Sequence, residues 1–379
     1  MLRLRPPTCR LIALLGLFLT AASGPAFAQT LFVSDNWSPA ESNFYTFDAA
    51  SGVFLAEAFA PAVFTSPNIR GVAFDGCGNL LMADQTRLRK RAPDGTLSVF
   101  AEDAGLSFLD VAVGPDGIIW ATYSEQTQPK AGGLRKFAAD GTQLGDFRNW
   151  PHETASNVKP RSLVVGPDGL VYVTDRTKPG SSVAGAVVRF DPAAGSFATF
   201  NTSVPAPIGL AFHSDRDLLV VSDVTFSVEK LDGAGGAPVA TFISPMPGFE
   251  PAGIIYVNDR LYVADRDFEQ AGVSNGNVLV FDNTGALMFT CTPPPDDMRY
   301  SPIDLAIDSA SGFSSFVPGD MNCDGALNGL DVAPFVRAVL DAAQFCAEWP
   351  FCSVYDADVN QDASVDTFDI APFIALLTG

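Results

Sequence analysis

The chain has 379 residues, a formal net charge of −20 and a composition rich in glycine, proline and phenylalanine. Such a composition is typical of a folded protein with many turns, and it excludes a disordered chain. The acidic excess excludes nucleic acid as a partner, because a phosphate backbone requires a basic face.

Residues 1–28 have the features of a secretory signal peptide. Three arginines precede an apolar run from Leu11 to Ala22, and Ala26-Phe27-Ala28 supplies a small-x-small cleavage pattern. The apolar run is short for a bilayer span, which disfavours the alternative of a retained membrane anchor. We therefore expect a secreted protein, extracellular or periplasmic, that starts near Gln29 and does not insert into a membrane.

One phrase recurs along the next three hundred residues. It consists of an apolar strand, a polar turn and a second apolar strand that usually ends in an acidic residue. Clear copies span 72–84, 111–122 and 163–175, and looser copies span 210–223 and 254–265. The Pro-Asp-Gly and Asp/Asn-rich turns favour hairpins, and a second hairpin follows each copy. Four strands in each repeat of about 40 to 50 residues are typical of propeller blades.

The sixth copy is divided between the two ends of this region. Residues 31–35 form a second strand that lacks its first strand, and residues 303–307 could supply it. Pairing these segments would close a ring and remove its open edges. The sequence thus predicts an all-β six-bladed propeller over 29–316, with five or seven blades as alternatives. A small C-terminal α-helical domain of EF-hand type is predicted over 317–379.

Two of the repeated strands carry a resemblance to known propellers. Val171-Tyr172-Val173-Thr174-Asp175 and Leu261-Tyr262-Val263-Ala264-Asp265 resemble NHL repeats. The chain is also similar, more loosely, to the propellers of the gluconolactonase/SMP-30 group and of virginiamycin lyases. The resemblance implies the fold, but these motifs are structural and say little about activity.

The blade geometry predicts one face of the propeller as the ligand face. The ends of the second strands place five carboxylates there: Asp35, Asp84, Asp175, Asp223 and Asp265. The starts of the first strands add Arg70, Arg161 and Glu250. Several long loops lie on this face, which favours binding of a small molecule, a carbohydrate or a protein partner. The structural alternative is that each aspartate accepts backbone N–H bonds and locks the blades together.

Catalysis has fewer candidates. The chain has only two histidines, and His152 is the more plausible base because His213 lies in a turn away from this face. Resemblance to the lactonases implies a Glu, Asn and Asp metal cluster, for which Glu250, Asn68 and Asp223 are available. The leading hypothesis is a non-catalytic binding protein. The alternative is a metal-dependent lactonase or a polysaccharide or ester lyase.

Two tandem twelve-residue loops near the C-terminus carry oxygen ligands at the spacing that calcium prefers. The first loop would bind through Asp320, Asn322, Asp324, the Ala326 carbonyl, Asn328 and Asp331. The second would bind through Asp358, Asn360, Asp362, the Ser364 carbonyl, Asp366 and Asp369. Gly325 provides the sharp turn in the first loop, whereas Ala363 replaces it in the second, so we expect the second site to be weaker.

These loops, each followed by a helix, resemble a type I dockerin. The resemblance implies folding with calcium and docking onto a cohesin. The contact positions of that family fall on Gly329-Leu330 and Thr367-Phe368, which are not the usual hydroxylated pair, so a different cell-surface protein is an alternative partner. Five cysteines follow the leader, and because five is odd, at least one thiol is predicted to be free or to pair with another chain. The preferred disulfide is Cys323–Cys352, and the alternative is Cys346–Cys352.

Overall fold

The computed structural model describes most of the chain beyond the predicted leader. The described residues are 29–35, 44–59, 69–114, 116–126, 132–148, 150–151, 159–176, 185–266, 274–293, 299–308, 319–322, 326–349, 352–360 and 364–378. The predicted signal peptide, Asn68, His152, Cys323, Asp324 and Asp362 lie outside these residues. No helix among the described residues is both long and apolar enough to cross a membrane.

The first half of the described chain is built almost entirely of short strands. They are β1 (Thr30–Asp35), β2 (Phe44–Asp48), β3 (Phe54–Phe59), β4 (Ile69–Phe74), β5 (Leu80–Asp84), β6 (Arg87–Arg91), β7 (Leu97–Glu102), β8 (Leu106–Val113), β9 (Ile119–Glu125), β10 (Gly132–Phe137), β11 (Gln143–Phe147), β12 (Pro160–Val165) and β13 (Val171–Asp175).

The second half continues in the same way as far as residue 308. Its strands are β14 (Ala186–Asp191), β15 (Ser196–Asn201), β16 (Pro207–Phe212), β17 (Leu218–Ser222), β18 (Ser227–Leu231), β19 (Pro238–Ile243), β20 (Pro251–Val257), β21 (Arg260–Asp265), β22 (Ser274–Asn275), β23 (Asn277–Asp282), β24 (Leu287–Cys291), β25 (Arg299–Tyr300) and β26 (Pro302–Asp308).

These strands form six four-stranded antiparallel sheets, which are the blades. In order from the inner strand outwards, blade 1 is β26-β1-β2-β3, blade 2 is β4-β5-β6-β7, blade 3 is β8-β9-β10-β11, blade 4 is β12-β13-β14-β15, blade 5 is β16-β17-β18-β19 and blade 6 is β20-β21-β23-β24. The short strands β22 and β25 pair in parallel in the loops. The inner strands of neighbouring blades contact one another in a closed cycle, so the prediction of a six-bladed propeller is confirmed.

The ring closes where the two ends of the propeller meet. Strand β1 pairs antiparallel with β26, and Leu31 lies opposite Ile307 while Val33 lies opposite Leu305. This is the pairing that the divided sixth repeat predicts. Blade 1 takes its inner strand from the C-terminal end of the propeller sequence and its other three strands from the N-terminal end. Backbone hydrogen bonds between β1 and β26 therefore close the ring.

The hydrophobic core lies between neighbouring blades rather than at one centre. Tyr172 of blade 4, for example, packs edge to face against Phe200 and against Phe212 of blade 5, with ring centroids 5.0 and 5.1 Å apart. Its hydroxyl donates a 2.8 Å hydrogen bond to Asp168 in the turn of the same blade. Burying each such aromatic side chain stabilises the fold by about 1.5–3 kcal/mol, so the ring's stability is shared among its interfaces.

A small helical unit follows the propeller. It contains α1 (Val332–Leu340), α2 (Ala342–Glu348) and α3 (Ile370–Thr378), with short 3₁₀ turns at Val354–Ala357 and Thr367–Asp369. Phe335 of α1 and Phe373 of α3 stack face to face, with centroids 3.8 Å apart. These phenylalanines occupy matching positions in the two sequence repeats, so the duplicated halves meet through equivalent side chains.

The helical unit is covalently joined to blade 2. Cys77, in the turn between β4 and β5, forms a disulfide with Cys346 of α2, 269 residues away in the chain. The backbone N–H of Val354 donates a 3.1 Å hydrogen bond to the Gly76 carbonyl. A side chain at Gly76 would place its Cβ only 3.0 Å from Ser353 Cα, so glycine permits the close approach.

This disulfide corrects one expectation about the cysteines. The alternative Cys346–Cys352 pairing is wrong, because Cys346 is bonded to Cys77. Cys352 is itself disulfide-bonded, but Cys323 lies outside the described residues, so the Cys323–Cys352 pairing stays a prediction. Among the described cysteines the free thiol is Cys291, which is buried in the propeller.

Candidate functional site

The inner strands line the central channel with two successive residues each. The outer of these two positions holds Arg70, Leu109, Arg161, Ile208, Ala252 and Ile303, and the inner position holds Gly71, Asp110, Ser162, Gly209, Gly253 and Asp304. The pairing of inner and second strands shifts register here in every blade. Such irregularities re-aim side chains, and ten of these twelve residues line a cavity of about 190 Å³ that we call the channel mouth.

Four arginines surround the channel mouth. Arg70 and Arg161 come from the inner strands of blades 2 and 4. Arg176 and Arg266 also line the cavity, and each is the residue that immediately follows a second strand, β13 or β21. In blade 5 the same position, immediately after β17, is occupied by Asp223.

Asp223 holds two of these arginines in place. Arg266 Nη2 donates to Asp223 Oδ1 at 2.6 Å, and Arg176 Nη2 donates to Asp223 Oδ2. All three side chains are largely buried, with exposures of 17% for Arg176, 9% for Asp223 and 14% for Arg266. The structure therefore places Asp223 one position beyond the other predicted aspartates, in a charged bridge across blades 4, 5 and 6.

Arg70 and Arg161 have no such partner among the described residues. Neither guanidinium makes a hydrogen bond or an ion pair with any described side chain, and the Nε of Arg176 is buried with no described hydrogen-bond partner. Burial and the neighbouring Arg176 lower the pKa of Arg70. Burial, reinforced by Arg70, Arg176 and Arg266, lowers the pKa of Arg161 to about 9. The channel mouth thus concentrates positive charge on a protein that is strongly acidic as a whole.

Two carboxyl groups form the floor below these arginines. Asp110 accepts from Ser162 Oγ at 2.7 Å and from Leu163 N at 3.0 Å, which ties blade 3 to blade 4. Asp304 accepts from Val72 N at 2.9 Å, which ties blade 1 to blade 2. Burial raises the pKa of Asp110 to about 7, and burial together with the nearby Asp110 raises the pKa of Asp304.

The remaining predicted aspartates serve the architecture of the blades. Asp35, Asp175 and Asp265 each accept a backbone N–H bond from the start of the inner strand of their own blade, given by Ser301, Lys159 and Glu250 at 2.8 to 2.9 Å. Asp84 instead forms a buried 2.5 Å ion pair with Arg89. These contacts match the structural alternative, in which repeated aspartates lock the chain rather than bind a ligand.

The catalytic candidates are not brought together at the channel mouth. Glu250 does not line the cavity, although its backbone contacts Asp265 and Arg266. His213 lies in the turn between β16 and β17, where its Nδ1 is 2.8 Å from Asp215 Oδ1. His152 and Asn68 are outside the described residues.

The two acidic loops of the helical unit fold around their last carboxylate in the same way. Asp331 Oδ1 accepts from Met321 N and Asn322 N at 2.9 and 3.1 Å, and its Oδ2 accepts from Asn328 N. Asp369 likewise accepts from Asn360 N and Asp366 N at 3.1 and 3.0 Å. Both carboxylates are fully buried.

The oxygen donors of these loops fit a hard cation by type. In the described part of the chain no group of three or more His, Cys, Asp and Glu side chains is placed to hold a metal ion. Asp324 and Asp362, the predicted fifth positions, lie outside that part.

Several apolar side chains of the helical unit are exposed. Exposed side chains one turn apart run along α1 and α3, and further apolar side chains precede each helix: Leu330, Val332, Val336, Leu340, Phe368, Ile370 and Ile374. Leu330 and Phe368, at matching positions of the two loops, are 67% and 75% exposed. We call this surface the apolar stripe.

Comparison with known proteins supports the propeller and nothing finer. No protein-family model matches the chain, and no curated protein matches it either. A protein of unknown function from Bacteroides caccae is similar over 74% of this chain and 98% of its own, with 14% identity and a TM-score of 0.56. A chain of a nidogen/laminin complex matches over the same shares with 16% identity and a TM-score of 0.56.

A streptogramin B lyase is similar over 75% of this chain and 88% of its own, with 13% identity and a TM-score of 0.51. At such identities the likeness is one of fold alone. The class that fold and site define is therefore a six-bladed β-propeller whose central channel opens through a ring of arginines.

Proposed function

We propose that this chain is an exported, non-catalytic binding protein whose propeller binds an anionic ligand at the channel mouth. The observation that carries the proposal is the imbalance of charge there. Four guanidinium groups converge on one cavity, and Asp223 is the single carboxylate among the described residues that pairs with any of them. A ligand with a negative group would supply the partner that no described side chain gives to Arg70 and Arg161.

The electrostatic repulsion among the arginines when no anion is bound also supports anion binding. Burying like charges close together is unfavourable, and the pKa of Arg161 is lowered first by burial and then by the neighbouring arginines. Guanidinium groups form strong, directional hydrogen bonds with carboxylate, phosphate and sulfate oxygens. Binding an anion would therefore relieve repulsion and satisfy donors at the same time.

The proposal includes export and attachment. A disulfide between the propeller and the helical unit supports an oxidising compartment, as the predicted signal peptide requires. The two acidic loops would bind calcium and so stabilise the helical unit, which resembles a dockerin. The apolar stripe would then attach the protein to a cohesin-like or other cell-surface protein, because large exposed apolar surfaces are typical of protein interfaces.

The alternative of a lactonase or lyase gains no support from the described residues. Glu250, the predicted metal ligand, does not line the channel mouth. Asp223, the other described member of the predicted cluster, is engaged by Arg176 and Arg266. That His152 acts as the base of a lyase reaction stays a prediction.

The binding proposal is tested by calorimetric titration of the full mature chain with glucose, glucuronic acid and glucose 6-phosphate. We expect the charged sugars to bind and glucose not to bind. The double variant Arg70→Gln/Arg161→Gln should weaken binding by at least tenfold, because two charge-assisted contacts are removed. Arg87→Gln, which removes an exposed arginine paired with Glu102 on the outer part of blade 2, is the matched control.

Equal affinity for glucose and the charged sugars would contradict the proposal. So would charged-sugar binding that is the same in the double variant and in the Arg87→Gln control.

A further inference from the structure

The arginines of the channel mouth alternate around the propeller axis. Blades 2, 4 and 6 contribute Arg70, Arg161 with Arg176, and Arg266. Blades 1, 3 and 5 contribute the apolar side chains of Ile303, Leu109 and Ile208 at the outer lining position. Six blades around one axis place every second blade about 120° apart, so the positive groups approach the cavity from three directions.

The small residue in blade 6 completes this alternation. At the position where blades 2 and 4 carry Arg70 and Arg161, blade 6 carries Ala252. Arg266 lies over the start of that same inner strand, since its Nε is 3.4 Å from the Glu250 carbonyl and its Nη2 is 3.4 Å from the Pro251 carbonyl. The small side chain of Ala252 leaves room in the cavity on the side of blade 6. Arg266, which follows the second strand of that blade, supplies the third positive group there.

We infer that the channel mouth is a site for a tetrahedral oxyanion, a phosphate or sulfate group, held by Arg70, Arg161 and Arg266 from three sides. This inference rests on the proposed anion-binding function and specifies its ligand class. A tetrahedral group viewed along one bond presents three oxygens at threefold spacing, which matches the alternate blades. A carboxylate is planar and presents two oxygens, so it cannot direct one oxygen to each of three guanidinium groups at once.

The balance of charge favours the same class. Asp223 neutralises one of the four positive charges and fixes Arg176 and Arg266 in position. Asp110 and Asp304 on the floor, whose pKa values are raised, offset only part of the three remaining charges. The positive charge that is left is offset more completely by a phosphate or sulfate dianion than by a singly charged carboxylate. The buried Nε of Arg176, which has no described hydrogen-bond partner, supplies one further donor beside the bridge.

The test is a titration of the full mature chain with inorganic phosphate, inorganic sulfate, acetate and malonate in chloride buffer near pH 7.5. We expect phosphate and sulfate to bind at least tenfold more tightly than either carboxylate. Arg161→Gln and Arg70→Gln should each weaken phosphate binding about tenfold or more, and Arg87→Gln should leave it unchanged. Arg161→Lys keeps the charge but loses the planar fork, so it should bind phosphate between wild type and Arg161→Gln.

A thermal melt of each variant keeps the test independent of folding. Removing one of several mutually repelling arginines should leave the melting temperature without anion equal or higher. Phosphate should raise the melting temperature of wild type more than that of Arg161→Gln. Glucose 6-phosphate and glucose 6-sulfate then distinguish an ester ligand from a free ion, because an ester site binds one of them more tightly than its inorganic ion.

Malonate or glucuronic acid binding as tightly as phosphate would overturn the tetrahedral assignment and leave the anion-binding function standing. No binding of any anion, together with no rise in the melting temperature of wild type in phosphate, would overturn both.

Discussion

The propeller and the helical unit are stabilised in contrasting ways. The propeller distributes its core over all the interfaces between blades and closes by pairing β1 with β26. The helical unit has a single cluster built around the stacked Phe335 and Phe373, and it is bonded to the propeller at Cys77. Because the stability of the propeller is shared among many interfaces, losing one contact should leave it folded. A unit with so small a core depends instead on a few cross-links.

The strongest test of this contrast is removal of calcium. Chelation by EDTA should unfold the helical unit and leave the propeller folded, because the proposed metal sites replace the core that a small unit lacks. In hydrogen exchange of the full chain, amides of α1 and α3 should lose protection by about a hundredfold, which corresponds to roughly 3 kcal/mol. Amides of β5 and β13 should be unchanged.

Calcium added back should restore protection, and the same concentration of magnesium should restore it less, because magnesium requires a stricter octahedral geometry. Helices that keep their protection in EDTA would show that the acidic loops are structural turns without a metal.

A second test of the contrast breaks the covalent link. Cys77→Ser/Cys346→Ser should destabilise the helical unit by about 2–4 kcal/mol, the usual effect of removing a native disulfide. The propeller should melt as before, because Cys77 lies in a surface turn between β4 and β5. The measurement is calorimetry of the double variant, in which the transition of the helical unit should separate from that of the propeller.

The single variants provide the control, since each removes the same bond and should give the same shift. A double variant that melts in one transition at the wild-type temperature would show that noncovalent contacts such as Val354 with Gly76 already hold the units together.

The fold could be predicted because its signals are local and repeated. Each blade repeats two hairpins with recognisable turns, and the missing partner of residues 31–35 could be found by counting strands. The Cys77–Cys346 disulfide could not be predicted, because nothing near either cysteine records which turn of the propeller the helical unit would approach. Contacts between residues so far apart in the sequence leave no local pattern, and they become visible only in the folded structure.

The candidate site could be predicted only in part. The sequence predicts Arg70 and Arg161 at the starts of inner strands, and the structure places both at the channel mouth. Arg176 and Arg266 are not among the predicted residues, although an Asp-Arg pair stands at the end of the second strand in both blade 4 and blade 6. The sequence pattern aligns Asp223 with the strand-end aspartates, but Ser222 occupies that position, opposite Pro207, as Asp175 lies opposite Pro160. Because Asp223 lies one residue beyond the strand-end position, it pairs with two arginines instead of accepting a backbone N–H bond within its blade.

The smallest expected effect concerns pH and contrasts the channel floor with the acidic loops. The raised pKa of Asp110, about 7, means that the folded protein holds a proton there between about pH 4 and pH 7 that the unfolded chain has released. Unfolding free energy should therefore fall as pH rises through this window. Calcium binding by the loops requires ionised carboxylates, so the helical unit should become more stable over the same rise.

Asp110→Asn tests the propeller side of this contrast, because an amide resembles the protonated acid at any pH. Between pH 5 and pH 8 the unfolding free energy of wild type should fall relative to the variant by on the order of 1–3 kcal/mol, measured by urea unfolding of the full chain. Asp94→Asn is the control. Its carboxylate has a pKa lowered by the Thr96 N–H and is ionised in folded and unfolded chains throughout this range, so it should not change the slope. Parallel pH profiles for wild type and Asp110→Asn would mean that Asp110 stays ionised in the fold, and the floor of the channel mouth would then oppose an anion rather than tolerate one.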